Sequence, residues 1–167
     1  MFTYCPECKK SNISFIDNHY FSCPDCGFLY YHNVAASVAA IIEYQDEILL
    51  TVRAKEPSMG LLDLPGGFVD PNESLEEALS REISEELSLT ITPSQFKYFS
   101  SQPNTYYYKK IKYNTLDTIF SIKLNIKPKI LCEVLEIQSA IWVKRNQINV
   151  DEMAFASTKK ALLKYIS

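Results

Sequence analysis

The sequence predicts an α/β protein, an α/β/α sandwich around a mixed sheet, preceded by a small ribbon stapled through its cysteines. Three observations lead there. Two Cys-x-x-Cys pairs are confined to the first 30 residues. Beyond them, short β-branched runs are separated by polar turns, and two stretches have helical periodicity. Strands interspersed with helices favour helices packed on both faces of a sheet. With 167 residues there is room for one substantial domain and a small appendage, divided here as 1–32 and 33–167.

The ribbon carries Cys5-Pro6-Glu7-Cys8 and Cys23-Pro24-Asp25-Cys26, fourteen residues apart, with Phe15, Tyr20 and Phe21 between. Such a segment is too short for a core of its own and needs a staple. A Cys-x-x-Cys turn presents two thiolates from one knuckle, and two knuckles close a tetrahedral zinc shell, so Cys5, Cys8, Cys23 and Cys26 are expected to hold a structural Zn²⁺. The start of the chain has no basic segment or apolar core, so no secretion signal is read there. No apolar run approaches the ~20 residues that span a bilayer. A cytoplasmic, reducing environment is therefore expected, which favours metal over disulfides. Cys132 stands alone in an apolar run and reads as a core thiol. Lys9 and Lys10 face Glu7, Asp17 and Asp25, which is no basic footprint, so the ribbon is expected to serve folding or dimerisation and not nucleic acid.

From residue 34 the pattern changes. Residues 34–42 and 48–52 read as two strands joined by the polar turn 43–47. Residues 60–67 read as a loop with Pro65-Gly66-Gly67 as its breaker. Ser74 with Glu77 forms a capping box, and Leu75, Ala78, Leu79, Ile83 and Leu87 recur at helical spacing, predicting a helix over 74–88. Strands are expected at 96–101, 106–112, 118–126 and 140–143, and a closing amphipathic helix at 153–166.

Charge is unevenly spread. Residues 43–89 carry twelve acids and three bases; 90–130 carry seven lysines and a single acid, Asp117. An acidic half facing a basic half suits a cation together with a polyanion, although solvated surface is the plainer account of most of these charges. At about 100° per residue, Glu82, Glu85 and Glu86 fall within about 100° of one another, at the edge of the apolar arc. Like charges so spaced cost roughly 0.2–0.5 kcal/mol per pair, and apolar neighbours add desolvation. A divalent cation offsets both, and oxygen clusters suit Mg²⁺ or Mn²⁺. Gly66 and Gly67 allow the backbone close to an ion or phosphate. Arg81 is placed to pair with Glu73 and fix loop to helix; taken alone, that pair is an ordinary surface salt bridge.

Here the sequence resembles the Nudix hydrolases. Their pattern is Gly-x5-Glu-x7-Arg-Glu-U-x-Glu-Glu-x-Gly-U, U being a bulky aliphatic residue, and the chain has Gly67, Glu73, Arg81, Glu82, Ile83, Glu85, Glu86 and Leu89 at those places. Ser88 stands where the pattern has its second glycine, which touches the helix terminus more than the chemistry. The resemblance implies metal-dependent hydrolysis of a nucleoside diphosphate linked to another moiety. It implies metals held by Glu82, Glu85, Glu86 and the Gly66 carbonyl, and bracing by Arg81 and Glu73. The general base varies across the family, and Glu133 and Glu136 are candidates beside the box glutamates. A homodimer is expected by the same analogy.

A zinc ribbon ahead of such a domain is similar to the NADH pyrophosphatase branch, which carries Ser-Gln-Pro-Trp-Pro-Phe-Pro-x-Ser after the box. This chain has Ser101-Gln102-Pro103 and then Asn104-Thr105-Tyr106-Tyr107-Tyr108. The branch's aromatic base walls are thus missing; Tyr106 or Tyr108 would replace them by stacking, or the stretch is an ordinary Tyr-rich strand. NAD(H) or ADP-ribose leads as substrate, with dinucleoside polyphosphates and nucleoside triphosphates open. Lys109, Lys110 and Lys112 would attract any of them. The rival class is a nucleotide-sensing module without turnover; three retained carboxylates favour the enzyme.

Overall fold

The computed structural model describes residues 2–109 and 111–167, and the chain divides into two compact units, Met1–Val34 and Ala35–Ser167. The first is a three-stranded antiparallel meander, β1 (Ser14–Ile16), β2 (Tyr20–Ser22) and β3 (Leu29–Tyr31). Asp17 and Asn18 turn the first hairpin with positive φ, a conformation their short polar side chains tolerate. Rings do what a core would do elsewhere: Phe15 stacks on Phe21 at 4.4 Å between centroids, and Phe2 meets Phe21 edge-on at 4.8 Å.

The second unit is a mixed sheet between two helices. Its elements are β4 (Ala35–Tyr44), β5 (Glu47–Arg53), β6 (Leu62–Asp63), β7 (Gly66–Phe68), α1 (Leu75–Leu87), β8 (Lys97–Tyr108), β9 (Ile111–Leu124), β10 (Ile137–Lys144) and α2 (Ala156–Ile166). The strand order is β10-β5-β4-β9-β8, with β6 on β5 and β7 on β4. Only β4 and β9, among the described pairs, run parallel. Strand β4 is central and covered on both faces, which is why it reads as a continuous apolar run. Val38, Ala40 and Ile42 pack with Ala78, Leu79, Ile83 and Leu87 of α1. The alternate residues Ala39 and Ile41 pack with Ala161 and Leu162 of α2. Each large side chain so buried stabilises the fold by roughly 1.5–3 kcal/mol.

The sandwich, its mixed sheet and both helices are as expected from sequence. Three details differ. The expected loop at 60–67 contains two short strands, because pairing with β5 and β4 satisfies backbone groups at the sheet's centre. Pro103 does not break a strand: residues 97–108 run on as β8, with Pro103 opposite Leu116. An edge strand has one unpaired side where a missing N–H costs nothing, and β8 is at the sheet's edge. The chain instead turns after Tyr108, inside the stretch read as one strand over 106–112. Helix α2 begins at Ala156, since Met153 bridges to Leu62.

Glu43 links the α2 layer to the sheet. It is buried at the end of β4, bonded by Tyr165 Oη at 2.5 Å, Arg145 Nη2 at 3.0 Å and Lys123 Nζ at 3.1 Å. Burial alone would raise its carboxyl, but the Tyr165 hydroxyl and the two cations outweigh it and hold it below the ordinary carboxylate value. A depressed carboxyl contributes stability above its unfolded pKa and loses it as the pH falls. Glu43→Ala is expected to cost on the order of 2–3 kcal/mol at pH 7. In urea titrations the deficit should narrow below about pH 4, where the parent's carboxylate is also lost; a pH-independent deficit would count against this network.

Candidate active site

Ser74 caps α1 as the sequence indicates: its Oγ accepts from Glu77 N at 3.3 Å, and Glu77 Oε2 accepts from Ser74 N at 2.8 Å. Ser88 ends the helix in the left-handed region, at φ 53°, so a serine takes the conformation that the missing glycine would adopt without strain. Between these caps, α1 turns Glu82 and Glu86 inward and Glu85 outward. Glu86 is 7% exposed, whereas the Glu85 side chain is 60% exposed.

Arg81 organises the acids around it. Its Nε and Nη2 grip both oxygens of Glu73 at 3.1 and 2.6 Å, Nη2 also donates to the Phe68 carbonyl at 3.1 Å, and Nη1 reaches Glu82 at 2.9 Å and Glu85 at 3.2 Å. Glu73 accepts a further bond from Asp70 N at 2.6 Å. The expected Glu73–Arg81 pair is thus a bidentate brace between loop, strand β7 and helix.

The diglycine makes the close approach possible. Gly66 has φ 145°, and a Cβ there would lie 2.1 Å from the Val38 carbonyl oxygen. A Cβ on Gly67 would lie 2.5 Å from the carboxyl carbon of Glu82. Gly66 N donates to Glu86 Oε2 at 3.0 Å. Burial pushes Glu86 up to about 8; the Gly66 amide pulls it back, and the charges of Glu82, Asp63 and Glu136 push the same way as burial. Glu82 is also raised, by burial first, against the pull of Arg81.

The distal glutamates, more than forty residues past the helix in sequence, lie beside it in space. Glu133 N bonds the carbonyl of Glu86 at 2.9 Å, and Leu131 N that of Leu87 at 3.2 Å, so the segment satisfies the helix's last carbonyls. Glu82, Glu85, Glu86, Glu133 and Glu136 then line one acidic cleft of about 370 Å³. Sequence left Glu133 and Glu136 undivided, and their partners differ. Glu133 accepts from Leu135 N at 2.7 Å and Glu136 N at 3.1 Å, while Glu136 pairs with Lys55. An oxygen-rich wall of this kind suits a hard divalent cation.

A second cleft of about 340 Å³ adjoins it, sharing Glu82, Glu86 and Glu136. Sequence reasoning missed most of its other lining. Arg53 donates to Asp63 at 3.1 Å and lies 4.9 Å from the centre of the Phe155 ring. Burial pushes Asp63 up to about 6 in spite of Arg53. Phe68, Tyr106 and Phe155 stand in series, at 5.4 and 5.8 Å between centroids. Tyr106, one of the two expected stacking residues, therefore lines the cleft. The Tyr108 side chain and Lys110 lie outside the described residues. Lys109 and Lys112 do not line either cleft. The one available signal for the missed polar wall was Asp117, the single acid in a basic stretch.

In the first unit the Sγ atoms of Cys5, Cys8, Cys23 and Cys26 all lie within 4.8 Å of one another. Cys5–Cys26 and Cys8–Cys23 are 3.6 and 3.7 Å apart, close to the roughly 3.8 Å edge of a tetrahedron with ~2.3 Å zinc–sulfur bonds. Among the described residues no other set of three or more such side chains is so gathered; the helix glutamates are spread between Arg81 and Gly66. No helix is long and apolar enough to cross a membrane.

Residues 31–165 match the Nudix domain profile. The chain belongs to the Nudix family. Among curated relatives, the NAD-capped RNA hydrolase NudC of Vibrio cholerae is 30% identical over 100 residues, 60% of this chain and 36% of that protein. The chain spans little more than a third of the length of such relatives. A Nudix hydrolase from Nitrosomonas europaea shares the fold at a TM-score of 0.70 and 22% identity, covering 99% of this chain and 90% of its own. A MutT Nudix hydrolase from Burkholderia pseudomallei does so at 0.66 and 21%, covering 78% and 97%.

A raised carboxyl keeps its proton longer in the folded chain than in the unfolded one. Glu86 therefore costs the metal-free domain stability increasingly from about pH 4.3, its unfolded value, to about 8. Glu86→Gln is expected to be more stable than the parent at pH 8 without added Mg²⁺ or Mn²⁺, and no more stable at pH 4. Urea midpoints at the two values check it.

Proposed function

We propose that this Nudix protein hydrolyses the pyrophosphate bond of a nucleoside diphosphate linked to another moiety, with an NAD(H)-like dinucleotide or ADP-ribose as leading substrate. The observation that carries it is the gathering of five glutamates along one cleft, beside a diglycine that brings backbone to within touching distance of two of them. Glu82, Glu85 and Glu86, with the Gly66 carbonyl, are the proposed ligands of Mg²⁺ or Mn²⁺. When bound, the metal supplies charge neutralisation of the diphosphate and activation of water. Arg81 and Glu73 hold the ligand-bearing helix against β7. Arg53 and Lys55 draw the polyanion into the cleft.

Water attacks phosphorus, the anhydride P–O bond breaks, and the leaving phosphate departs with the bond's electrons. The attacking water's proton goes to a carboxylate, for which we favour Glu136. It lines both clefts and its ion-pair partner is the exposed Lys55 side chain, whereas Glu133 lines only the acidic one and has one oxygen bonded by two amides of its own turn. Residues 1–32 are proposed as a structural zinc module and 33–167 as the hydrolase domain, in a cytoplasmic homodimer. The ribbon's charge gives no footing for nucleic acid, yet the Vibrio relative is named for capped RNA, so a dinucleotide carried on RNA belongs among the substrates to test.

Nucleotide release should be followed by chromatography with Mg²⁺ or Mn²⁺ over NADH, ADP-ribose, dinucleoside polyphosphates, nucleoside triphosphates and NAD-capped RNA. Turnover of a dinucleotide or ADP-ribose is expected, and Glu86→Gln should lower it by about 10²-fold or more with the fold intact. No turnover on any of them would favour a sensing role. Elemental analysis should find one zinc per chain, lost in Cys23→Ser; protein purified without zinc that keeps its first unit folded would refute the staple.

A further inference from the structure

The cleft's far wall carries an acid that the hydrolysis does not use. Asp117 is only 8% exposed and no cation pairs with it among the described residues. Its carboxylate is instead saturated by neutral donors: Ser37 Oγ and Thr115 Oγ1 on one oxygen, Asn104 Nδ2 at 2.8 Å and Ser157 Oγ at 2.5 Å on the other. Such a saturated buried carboxylate is costly to assemble and acts only as an acceptor.

The consequence falls on Asn104. An amide can normally flip and offer either its oxygen or its NH₂. Facing Asp117 it can offer only NH₂, so Oδ1 is turned away, and it accepts nothing from the described residues. Asn104 lines the cleft with Phe68, Tyr106 and Phe155, whose rings supply apolar faces for a flat heterocycle. It also stands where the NADH pyrophosphatase pattern has tryptophan, so this wall reads polar edges where that pattern offers a ring.

We propose that Asn104, fixed by Asp117, is a specificity-determining residue whose Oδ1 reads the exocyclic amino group of the substrate's heterocycle, as carried by a 6-aminopurine or a pyridine carboxamide. A 6-oxopurine or a pyridine carboxylate sets oxygen against oxygen, and Asp117 forbids the amide flip that would relieve it. Sites built around one hydrogen bond discriminate strongly, because the mismatched partner leaves polar groups unpaired. Asp117 is the positioning residue.

The inference rests on the reading of the cleft as a nucleotide site, and it is tested by binding, separately from turnover. Calorimetry compares AMP with IMP, and nicotinamide mononucleotide with nicotinate mononucleotide. In the parent the amino-bearing member of at least one pair is expected to bind about tenfold or more tightly; which pair does so identifies the heterocycle read. Asn104→Ala should reduce that preference to near unity, and Asp117→Asn should erode it by releasing the flip. Asn104 is half-exposed, so its truncation keeps the test valid should Asp117→Asn fold poorly. Equal affinity within both pairs, no measurable binding of any of the four at millimolar concentration, or a preference that survives Asn104→Ala overturns it. A preference without turnover would instead overturn the hydrolase reading and leave this one standing.

Discussion

The Arg81 guanidinium is the tie on which the rest of the site depends. One side chain spans Glu73, the Phe68 carbonyl, Glu82 and Glu85, and so joins the loop after β7, β7 itself and α1. Three acids near an apolar core repel one another and pay for lost hydration. A bidentate, partly buried cation lowers that cost and fixes where the carboxylates stand. The close packing of helix on strand then rests on two residues without Cβ, Gly66 against β4 and Gly67 against Glu82. Brace and diglycine both bear on Glu82.

Around that tie the sheet separates two kinds of work. One face, with α1, is almost wholly apolar and ends in the acidic cleft. The other, with α2, combines an apolar layer with saturated polar clusters at Glu43 and at Asp117. These two acids lie toward opposite ends of the β4–β9 pair, in register with Lys123 and Ser37 respectively. At one end the partners include cations and the acid fastens layers together. At the other the partners are neutral, and the acid orients an amide toward a cavity. Burial is common to both; what the neighbours can donate decides the role.

The departure from the NADH pyrophosphatase pattern after Pro103 now has a physical setting. The residues that differ lie on the edge strand β8 and contribute Asn104 and Tyr106 to the cleft wall. An edge strand tolerates substitution, as it tolerates Pro103, because half its backbone groups need no partner in the sheet. The proposed metal ligands sit on α1 and beside the covered centre of the sheet, where such freedom is absent. Membership in a family and choice of substrate can therefore diverge within one domain.

Sequence by itself determined what is local or periodic. The capping box at Ser74, the apolar stripe of α1, the spacing of Glu82, Glu85 and Glu86, and the two cysteine knuckles are set by neighbours a few residues apart. Helical and strand periods translate such spacing directly into shared faces. The Glu73–Arg81 brace was legible too, being only eight residues apart, from the loop before α1 to its second turn. Tertiary structure alone decided what depends on strands meeting from far along the chain. It set Glu133 and Glu136 beside Glu86 through backbone bonds to the helix end, and gave them different partners. It joined Ser37, Asn104, Thr115 and Ser157 on Asp117 across up to eighty positions. No period in the sequence encodes a contact of that range, because its register is fixed by the packing of the whole sheet. The acidic helix was written locally; the polar wall of the adjoining cleft was not.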